Sequence, residues 1–332
     1  MPNRNLVYEA LILRTRESPA GDRILTMMTA EAGLVDVFVF GGPKSKLRSL
    51  ASPFASGRAF VYLDPAKDFR KLSDFEARDS YPALREELGR LWAAGLVAEL
   101  LIKTSGGGGD FPFVLELGRE ALRALDSRSP ERGDYAVALF LWRLVGLLGL
   151  GPDTEACVSC GRGLSTASLG RAAGEVRGGD DGRGDGRDSG GMARGGGAGG
   201  GNAGRGEDQL AFAYSFGAEG FLCPSCARAA SRGSSAATGD AARTAPGFPR
   251  GPAAEWRRPE DGAFARESGA FLRILPAALD WLRDSEKKPF AEAVMAGLDG
   301  PALAGLKALL FGLARRAAEA PLASLASGFL PT

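Results

Sequence analysis

Two C-x-x-C pairs constrain this chain more than any other sequence feature. The pairs, Cys157-Val-Ser-Cys160 and Cys223-Pro-Ser-Cys226, contain all four cysteines of the 332-residue chain, which has no histidine. Two such pairs are the ligand set of a closed, tetrahedral, all-thiolate zinc site, which leaves no open position for a catalytic water. We therefore predict one structural zinc ion held by Cys157, Cys160, Cys223 and Cys226. The absence of histidine also removes the commonest general base, so enzymatic turnover is not expected.

The two pairs are unusually far apart for one zinc site. Sixty-two residues separate Cys160 from Cys223, whereas roughly 12–20 are usual. Closing a loop about four times longer costs only about 1.2 kcal/mol more, which is small beside the roughly 10–16 kcal/mol of structural zinc binding. Two alternatives stay open: four unpaired core thiols, or one redox-active pair of the thioredoxin type. Neither pair opens a helix within a predicted βαβ pattern, so zinc is favoured.

Composition and charge restrict the class of protein. The formal net charge is only +1 and 45% of residues are hydrophobic, which allows a sizeable core but provides no global attraction to nucleic acid or membrane. The most apolar run, residues 137–150, contains Arg143 and is shorter than the ~20 residues of a membrane span. The first residues lack the flanks of a signal peptide. We expect a soluble cytoplasmic protein without a membrane partner, in which paired cysteines are metal ligands or redox centres rather than disulfides.

The first eighty residues have the character of a small β-barrel. Five strand-like segments are separated by turns rich in glycine, proline and aspartate. They are Leu6–Leu13, Arg23–Thr29, Leu34–Phe40, Arg58–Leu63 and Lys71–Ala77. Five short strands without an intervening long helix are typical of a closed barrel, and the OB-fold is the leading five-stranded candidate. We predict an OB-fold nucleic-acid-binding domain over residues 1–80.

The remaining chain reads as helical, with a zinc site inside it. Apolar residues recur at helical spacing, and the predicted helices cover residues 84–101, 112–125, 134–148, 264–283 (kinked or split at Pro276) and 301–319. The strand-like run Leu210–Phe216 precedes the second cysteine pair, as in a zinc ribbon. The predicted fold class is therefore α+β multidomain: the barrel, then an α-helical domain over 81–332 with a four-cysteine zinc ribbon or finger (157–226). Segments 171–208 and 231–262 hold too few apolar residues to offset their ordering entropy and are predicted to be disordered.

Basic residues cluster at two places along the predicted barrel. Three arginines flank the first turn, and Lys44, Lys46 and Arg48 alternate with Ser45 and Leu47. In an extended loop this alternation would place three cations on one side, and no acidic residue occurs between Val37 and Tyr62. Such a strip could follow a phosphate backbone. A solvated loop without a ligand is equally open.

Aromatic residues accompany this basic strip. They are Phe38, Phe40, Phe54, Phe60 and Tyr62. Aromatic side chains in a barrel could stack on bases. Aromatic strand residues are more often core residues, and the core interpretation is favoured here.

Several motifs resemble the bacterial RecO family of DNA repair proteins. In the barrel, residues 10–16, 22–26 and 31–34 are similar to the family's opening, and 43–48 with Pro53-Phe54 resembles its basic loop. Beyond the barrel, residues 99–101, 147–150 and 157–161 are similar to its helical domain and first zinc knuckle, and residues 216–223 resemble the return to the second knuckle. The likeness covers about residues 5–165 and 210–228.

The resemblance implies a recombination mediator rather than an enzyme. The family binds single- and double-stranded DNA, anneals complementary strands, works with RecR, engages the C-terminal tail of single-stranded DNA-binding protein and helps to load RecA. By resemblance, the DNA contacts are Arg14, Arg16, Arg23, Lys44, Lys46 and Arg48, and the four cysteines bind zinc. The expected location is the bacterial cytoplasm, with the nucleoid. A zinc-stabilised interaction scaffold that does not bind DNA is the second hypothesis, and a redox enzyme is the third.

Overall fold

The computed structural model describes residues 4–18, 21–41, 45–104, 109–127, 130–165, 211–236 and 271–326. Contacts divide the chain into two compact units, Met1–Gly151 with Trp281–Thr332, and Pro152–Asp280. Lys44 and the segment 171–208 lie outside the described residues, as does the segment 231–262 after residue 236. Residues 231–236 are helical. The sequence-based domain boundaries stay a prediction.

The first unit begins with a closed five-stranded barrel, as predicted. Its strands are β1 (Asn5–Glu17), β2 (Arg23–Thr29), β3 (Gly33–Val39), β4 (Ser56–Asp64) and β5 (Phe69–Asp79). They are ordered β1-β2-β3-β5-β4, and β4 pairs with β1 to close the barrel. All pairs are antiparallel except β3 with β5, which meet at Phe38 and Lys71. This is the OB-fold architecture expected from the five strand segments.

Alternation along the strands places the barrel core. Side chains at every second position point inward, including Ala10, Ile12, Leu25, Met27, Val35, Val37, Val39, Ala59, Val61, Leu72 and Phe75. A short helix, α1 (Lys46–Leu50), follows β3, and its Leu47 and Leu50 pack against this core. Gly57 lies at a register shift between β4 and β5, where a Cβ atom would lie 2.0 Å from the carbonyl oxygen of Glu76. Only glycine fits this close approach of two backbones.

Helices complete the first unit. A 3₁₀ helix (Pro82–Arg85) leads into α2 (Leu88–Lys103), α3 (Phe111–Leu125) and α4 (Pro130–Leu147); later in the chain come α7 (Phe290–Ala293), α8 (Gly300–Ala318) and α9 (Ala323–Ala326). Asp110 and Asp299 cap α3 and α8 by accepting backbone N–H bonds, as N-cap residues commonly do. Helices α2, α3 and α8 bury leucine-rich faces. Among the described helices, none is both long and apolar enough to cross a membrane.

The barrel is joined to α3 by packing and by one arginine. Gly118 of α3 leaves room for Leu11 of β1, to which a Cβ atom at Gly118 would lie 3.1 Å away. Arg119 donates from Nε to the Ser56 hydroxyl at 2.7 Å and lies 3.4 Å from the Glu9 carboxylate. Its side chain is only 13% exposed. A partly buried guanidinium with these partners fixes the barrel against the helix.

The second unit contains a small sheet and a helix. The sheet has the order β7-β6-β8 and consists of β6 (Phe212–Ser215), β7 (Gly220–Leu222) and β8 (Phe271–Ile274). Helix α5 (Pro224–Ala236) follows β7; α6 (Pro276–Lys287) follows β8 and runs past Asp280, where the second unit ends. The predicted helix over 264–283 is therefore wrong from residue 271 to 274, because this segment pairs with β6 as a strand. Pro276 begins α6, where its missing N–H costs nothing.

Candidate metal centre and candidate nucleic-acid interface

The four cysteine sulfurs form one cluster in the second unit. All four Sγ atoms lie within 4.8 Å of one another, although the two pairs are far apart in the chain. The Sγ atoms of Cys160 and Cys223 are 3.8 Å apart. Cys157 and Cys223 are buried, Cys226 is intermediate and Cys160 is exposed. The cluster therefore has one edge at the surface and the other inside the unit.

A tight turn presents the first cysteine pair. An isolated bridge joins Ala156 to Gly163, and the Cys157 N–H donates to the Arg162 carbonyl at 2.8 Å. Gly161 has φ of +69° and donates its N–H to the Cys157 carbonyl at 2.8 Å. Glycine adopts this left-handed conformation without strain. The turn folds Cys157 and Cys160 toward the same point.

The hairpin of β6 and β7 presents the second pair. Phe221 of β7 accepts an N–H bond from Val158 at 2.9 Å, which joins the two knuckles. The Cys223 N–H points to the Cys157 sulfur at 3.3 Å. Cys226 lies in the first turn of α5, which begins at Pro224. The strands on either side of α5 both pair antiparallel with β6, so the described residues contain no thioredoxin-like βαβ unit here.

The geometry of this cluster fits a tetrahedral metal ion. Four sulfurs at about 2.3 Å from zinc are about 3.8 Å from one another, which is the distance found between Cys160 and Cys223. A disulfide needs about 2.05 Å, and all four cysteines are free. The backbone N–H directed at the Cys157 sulfur would support a thiolate. The donor set therefore suits a soft, thiolate-preferring divalent ion such as zinc.

The pKa values of the cluster cysteines bear on whether a cation would be favoured there. Burial would raise the pKa of Cys223, but hydrogen bonds from the Cys226 backbone and the Ser225 hydroxyl outweigh it and lower this pKa to about 6. Burial, together with the nearby Cys160 and Cys223 sulfurs, raises the pKa of Cys226 to about 12. One thiolate forms easily, and a second beside it is disfavoured by charge repulsion. A bound divalent ion would reverse that preference.

The candidate DNA-contacting cations have different environments. Arg14 and Lys46 are exposed, and neither forms an ion pair within the described part of the chain. Arg16 lies 2.8 Å from the carboxylate of Asp36. Arg23 donates from Nη1 to the Arg48 carbonyl at 2.9 Å, so it holds the middle of α1. Arg14 and Lys46 are therefore the cations best placed to accept a new anionic partner.

The expected extended strip over residues 44–48 is wrong where the structure describes it. Lys46 to Leu50 form helix α1, because Leu47 and Leu50, three residues apart, both pack on the barrel core. Residues two apart lie on different sides of a helix. Lys46 is exposed, whereas Arg48 is partly buried and its Nε atom is enclosed without a hydrogen-bond acceptor among the described residues. The alternation does not place the two cations side by side.

The prediction that Phe38 and Phe40 are core residues is wrong. Val37 and Val39 fill the barrel core, so Phe38 and Phe40 point outward. Phe40 is 40% exposed and Phe38 is half-buried, whereas Phe54 is buried as expected. Phe69 and Lys71 lie beside them, and neither was predicted as a site residue. The two phenylalanines alternate with Val37 and Val39 in the sequence, and this alternation was the signal that could have indicated their outward positions.

Comparison with known proteins identifies relatives for most of the described chain. The family model described as "Recombination protein O N terminal" matches residues 4–81, and "Recombination protein O C terminal" matches residues 85–189. The DNA repair protein RecO of Desulforudis audaxviator is 30% identical over 155 residues, which are 46% of this chain and 60% of that protein. The RecO proteins of Heliobacterium modesticaldum and Anaeromyxobacter sp. are each 30% identical over 167 residues, covering 49% and 50% of this chain and 58% and 65% of theirs. The matched region thus spans less than two thirds of these relatives.

Fold and site together define the class: an OB-fold barrel followed by helices, with a clustered four-cysteine site after them. The boundary between the two family matches, residues 81–85, falls where the barrel ends and the 3₁₀ helix begins. Both halves of one family are matched in order and without overlap. The chain belongs to the RecO family.

Proposed function

We propose that this chain binds single- and double-stranded DNA through its barrel and acts as a mediator in recombinational DNA repair. The observation that carries this proposal is that the segment matched by the family's N-terminal model folds as a closed OB barrel with exposed cations on its outer side. Arg14 on β1 and Lys46 on α1 are such cations. A barrel of this type commonly binds oligonucleotides.

The proposed activity is strand annealing without bond chemistry. Two complementary strands repel each other through their phosphates, and cations that neutralise phosphates release bound counterions and reduce that repulsion. The same contacts would hold a strand while another protein is displaced from it. No covalent step is needed, and we propose that the chain turns over no substrate.

The proposed partners are those of a mediator. They are RecR, the C-terminal tail of single-stranded DNA-binding protein and, indirectly, RecA on coated single strands. We place this work in the bacterial cytoplasm, at the nucleoid.

Zinc is the proposed cofactor, with a structural role. Cys157, Cys160, Cys223 and Cys226 would each supply one thiolate, which leaves no coordination position for a substrate. When bound, the ion would join the turn at residues 156–163 to the β6–β7 hairpin. Purified protein should contain one zinc per chain by elemental analysis, and chelation should lower the thermal unfolding midpoint. Metal-free protein with a titratable disulfide would contradict this role.

The DNA proposal is tested by binding and annealing assays on the full chain. A fluorescein-labelled single strand should bind with an affinity that falls linearly with log salt concentration. The chain should then accelerate annealing of complementary strands that are coated with single-stranded DNA-binding protein. A protein that binds neither single- nor double-stranded DNA at low salt would be a zinc-stabilised scaffold instead.

A further inference from the structure

Three phenylalanine rings form a cluster on the outside of the barrel. The ring centroids of Phe38 and Phe69 are 5.0 Å apart, those of Phe40 and Phe69 are 6.1 Å apart, and those of Phe38 and Phe40 are 6.4 Å apart. The planes of Phe38 and Phe40 differ by only 16°. Phe38 lies in β3, Phe40 directly follows it and Phe69 begins β5. These two strands pair at Phe38 and Lys71.

The position of the cluster is not explained by the protein core. The core of the barrel is filled by other residues, including Val37, Val39 and Leu72, which alternate with the cluster. Phe40 remains 40% exposed, although burying apolar surface is favourable by about 25 cal/mol per Å². A side chain such as threonine would satisfy an exposed strand position without that exposed apolar surface. The exposed face of Phe40 is therefore available to a ligand.

A cation lies beside the rings. The Lys71 ammonium lies 5.5 Å from the centroid of Phe40, and Lys67 and Arg70 lie on either side of Phe69 in the chain. The acidic residue of this stretch, Asp68, is paired with Arg70 at 3.1 Å. Apolar rings with positive charge beside them suit a ligand that is flat and apolar in one part and anionic in another. A nucleotide has these two parts: a base and a phosphate.

The cluster shares a cross-strand row with one of the candidate DNA-contacting cations. Arg16 of β1 pairs with Ile24 of β2, Ile24 pairs with Phe38 of β3, and Phe38 pairs with Lys71 of β5. Neighbouring strands lie about 4.8 Å apart, so a short stretch of single strand would cover the row. Arg16, which is also paired with Asp36, and Lys71 are the basic residues at the two ends of the row. Between them lie the buried Ile24 and the Phe38 ring.

We propose that Phe38, Phe40, Phe69 and Lys71 form a stacking platform for unpaired bases of single-stranded DNA. This inference rests on the proposed DNA-binding function and adds the part of the strand that is recognised. Rings stack on bases irrespective of sequence, because every base has a π-face. Bases in a duplex are already stacked on each other and are not available to the platform, so it favours single strands. Retaining a strand with its bases exposed also suits annealing to a complement.

The test compares two oligonucleotides that carry equal charge. One is a labelled 30-mer of thymidine, and the other has abasic sites in place of its central thymidines. Wild-type protein should bind the base-bearing strand more tightly, and Phe40→Ala should weaken that binding roughly 5- to 150-fold, as expected for one lost stack. Phe40→Trp should retain it. Binding of the abasic strand and of duplex DNA should change little in either variant.

Controls separate stacking from folding and from charge. Phe113 on α3 is 47% exposed, so Phe113→Ala removes a similarly exposed ring outside the platform and should leave DNA binding unchanged. Thermal unfolding of each variant monitors the fold, and the salt dependence of Phe40→Ala should match that of the wild type because no cation is removed.

Each outcome decides between the two proposals. Wild-type protein that binds both strands equally, or a Phe40→Ala variant that keeps the preference for bases, would overturn the platform and leave DNA binding standing. An equal loss on duplex DNA in Phe40→Ala would also overturn it. Failure of the wild type to bind any DNA would overturn the proposed function together with the platform.

Discussion

Removing two of the exposed barrel cations, Arg14 and Lys46, tests the electrostatic part of the proposed interface. Arg14 and Lys46 are exposed, and neither has an ion-pair partner within the described ranges, so each can give its full charge to a phosphate. A contact with single-stranded DNA contributes about 0.7 to the slope of log affinity against log salt. The double variant Arg14→Ala, Lys46→Ala should therefore lose about 1.4 from the slope, and about 25-fold in affinity at roughly 0.1 M salt.

The other candidate cations should behave differently in the same assay. Arg23 holds the Arg48 carbonyl, so Arg23→Ala should lower the free energy of unfolding by about 0.5–1.5 kcal/mol, with a smaller change of slope. Lys287, an exposed cation on α6, provides a matched control outside the barrel.

The assay is fluorescence anisotropy of a labelled single strand over a range of salt concentrations. A double variant with the wild-type slope, or a Lys287→Ala variant that loses as much slope as a barrel cation does, would show that the barrel does not carry the phosphate contacts. Unfolding curves of the same variants exclude a loss of fold as the cause.

Three further predictions concern the metal, a carboxylate and a glycine. Thiols must lose their protons to bind zinc, so zinc content by elemental analysis should fall as the pH is lowered from about 7.5 to about 5, and Cys160→Ser should weaken zinc binding at neutral pH. Burial would raise the pKa of Glu99, but hydrogen bonds from Ser324, Ala323 and Lys103 outweigh it and hold this pKa below its usual value. The stabilisation of the fold by the Glu99 carboxylate is therefore present above the unfolded pKa of about 4.3 and lost as the pH falls through the lower folded pKa. Glu99→Gln should lower the free energy of unfolding by about 1–3 kcal/mol at neutral pH, measured by urea unfolding. The difference between variant and wild type should vanish in acid. Gly57→Ala should lower the free energy of unfolding by about 3 kcal/mol or more, because its Cβ would lie 2.0 Å from a backbone oxygen. At Gly95 in α2 a Cβ meets nothing within 4 Å, so Gly95→Ala should be neutral or stabilising. Equal shifts of the thermal unfolding midpoint in the two variants would contradict this reasoning.

Local patterns predicted most of the regular structure. The five barrel strands were found from alternation and turn residues, because a strand that buries one face must repeat its apolar residues every second position. Helices α2, α3, α4 and α8 were found from apolar spacing and leading prolines. Both signals lie within a few residues of the element that they predict, so they can be recognised without knowledge of the rest of the chain.

Elements that depend on distant partners were missed. The strand Phe271–Ile274 was expected to be helical because a four-residue apolar segment beside a helix has no distinguishing period. Its pairing with β6, about sixty residues earlier, decides its conformation. The segment that forms helix α1 was expected to be an extended loop, but it is helical because its leucines pack on the barrel core.

The chemistry of the two candidate sites divides in the same way. Four cysteines in two pairs, with no histidine, already restricted the metal site to thiolate ligands, because ligand type is a property of the residues themselves. The cations and rings of the barrel were visible only as residue types. Tertiary structure paired Arg16 with Asp36 and bonded Arg23 to the Arg48 carbonyl in the middle of α1. It also turned Phe38 and Phe40 outward beside Phe69. These relations depend on which strands meet across the barrel, and that is decided by long-range packing rather than by neighbours in the chain.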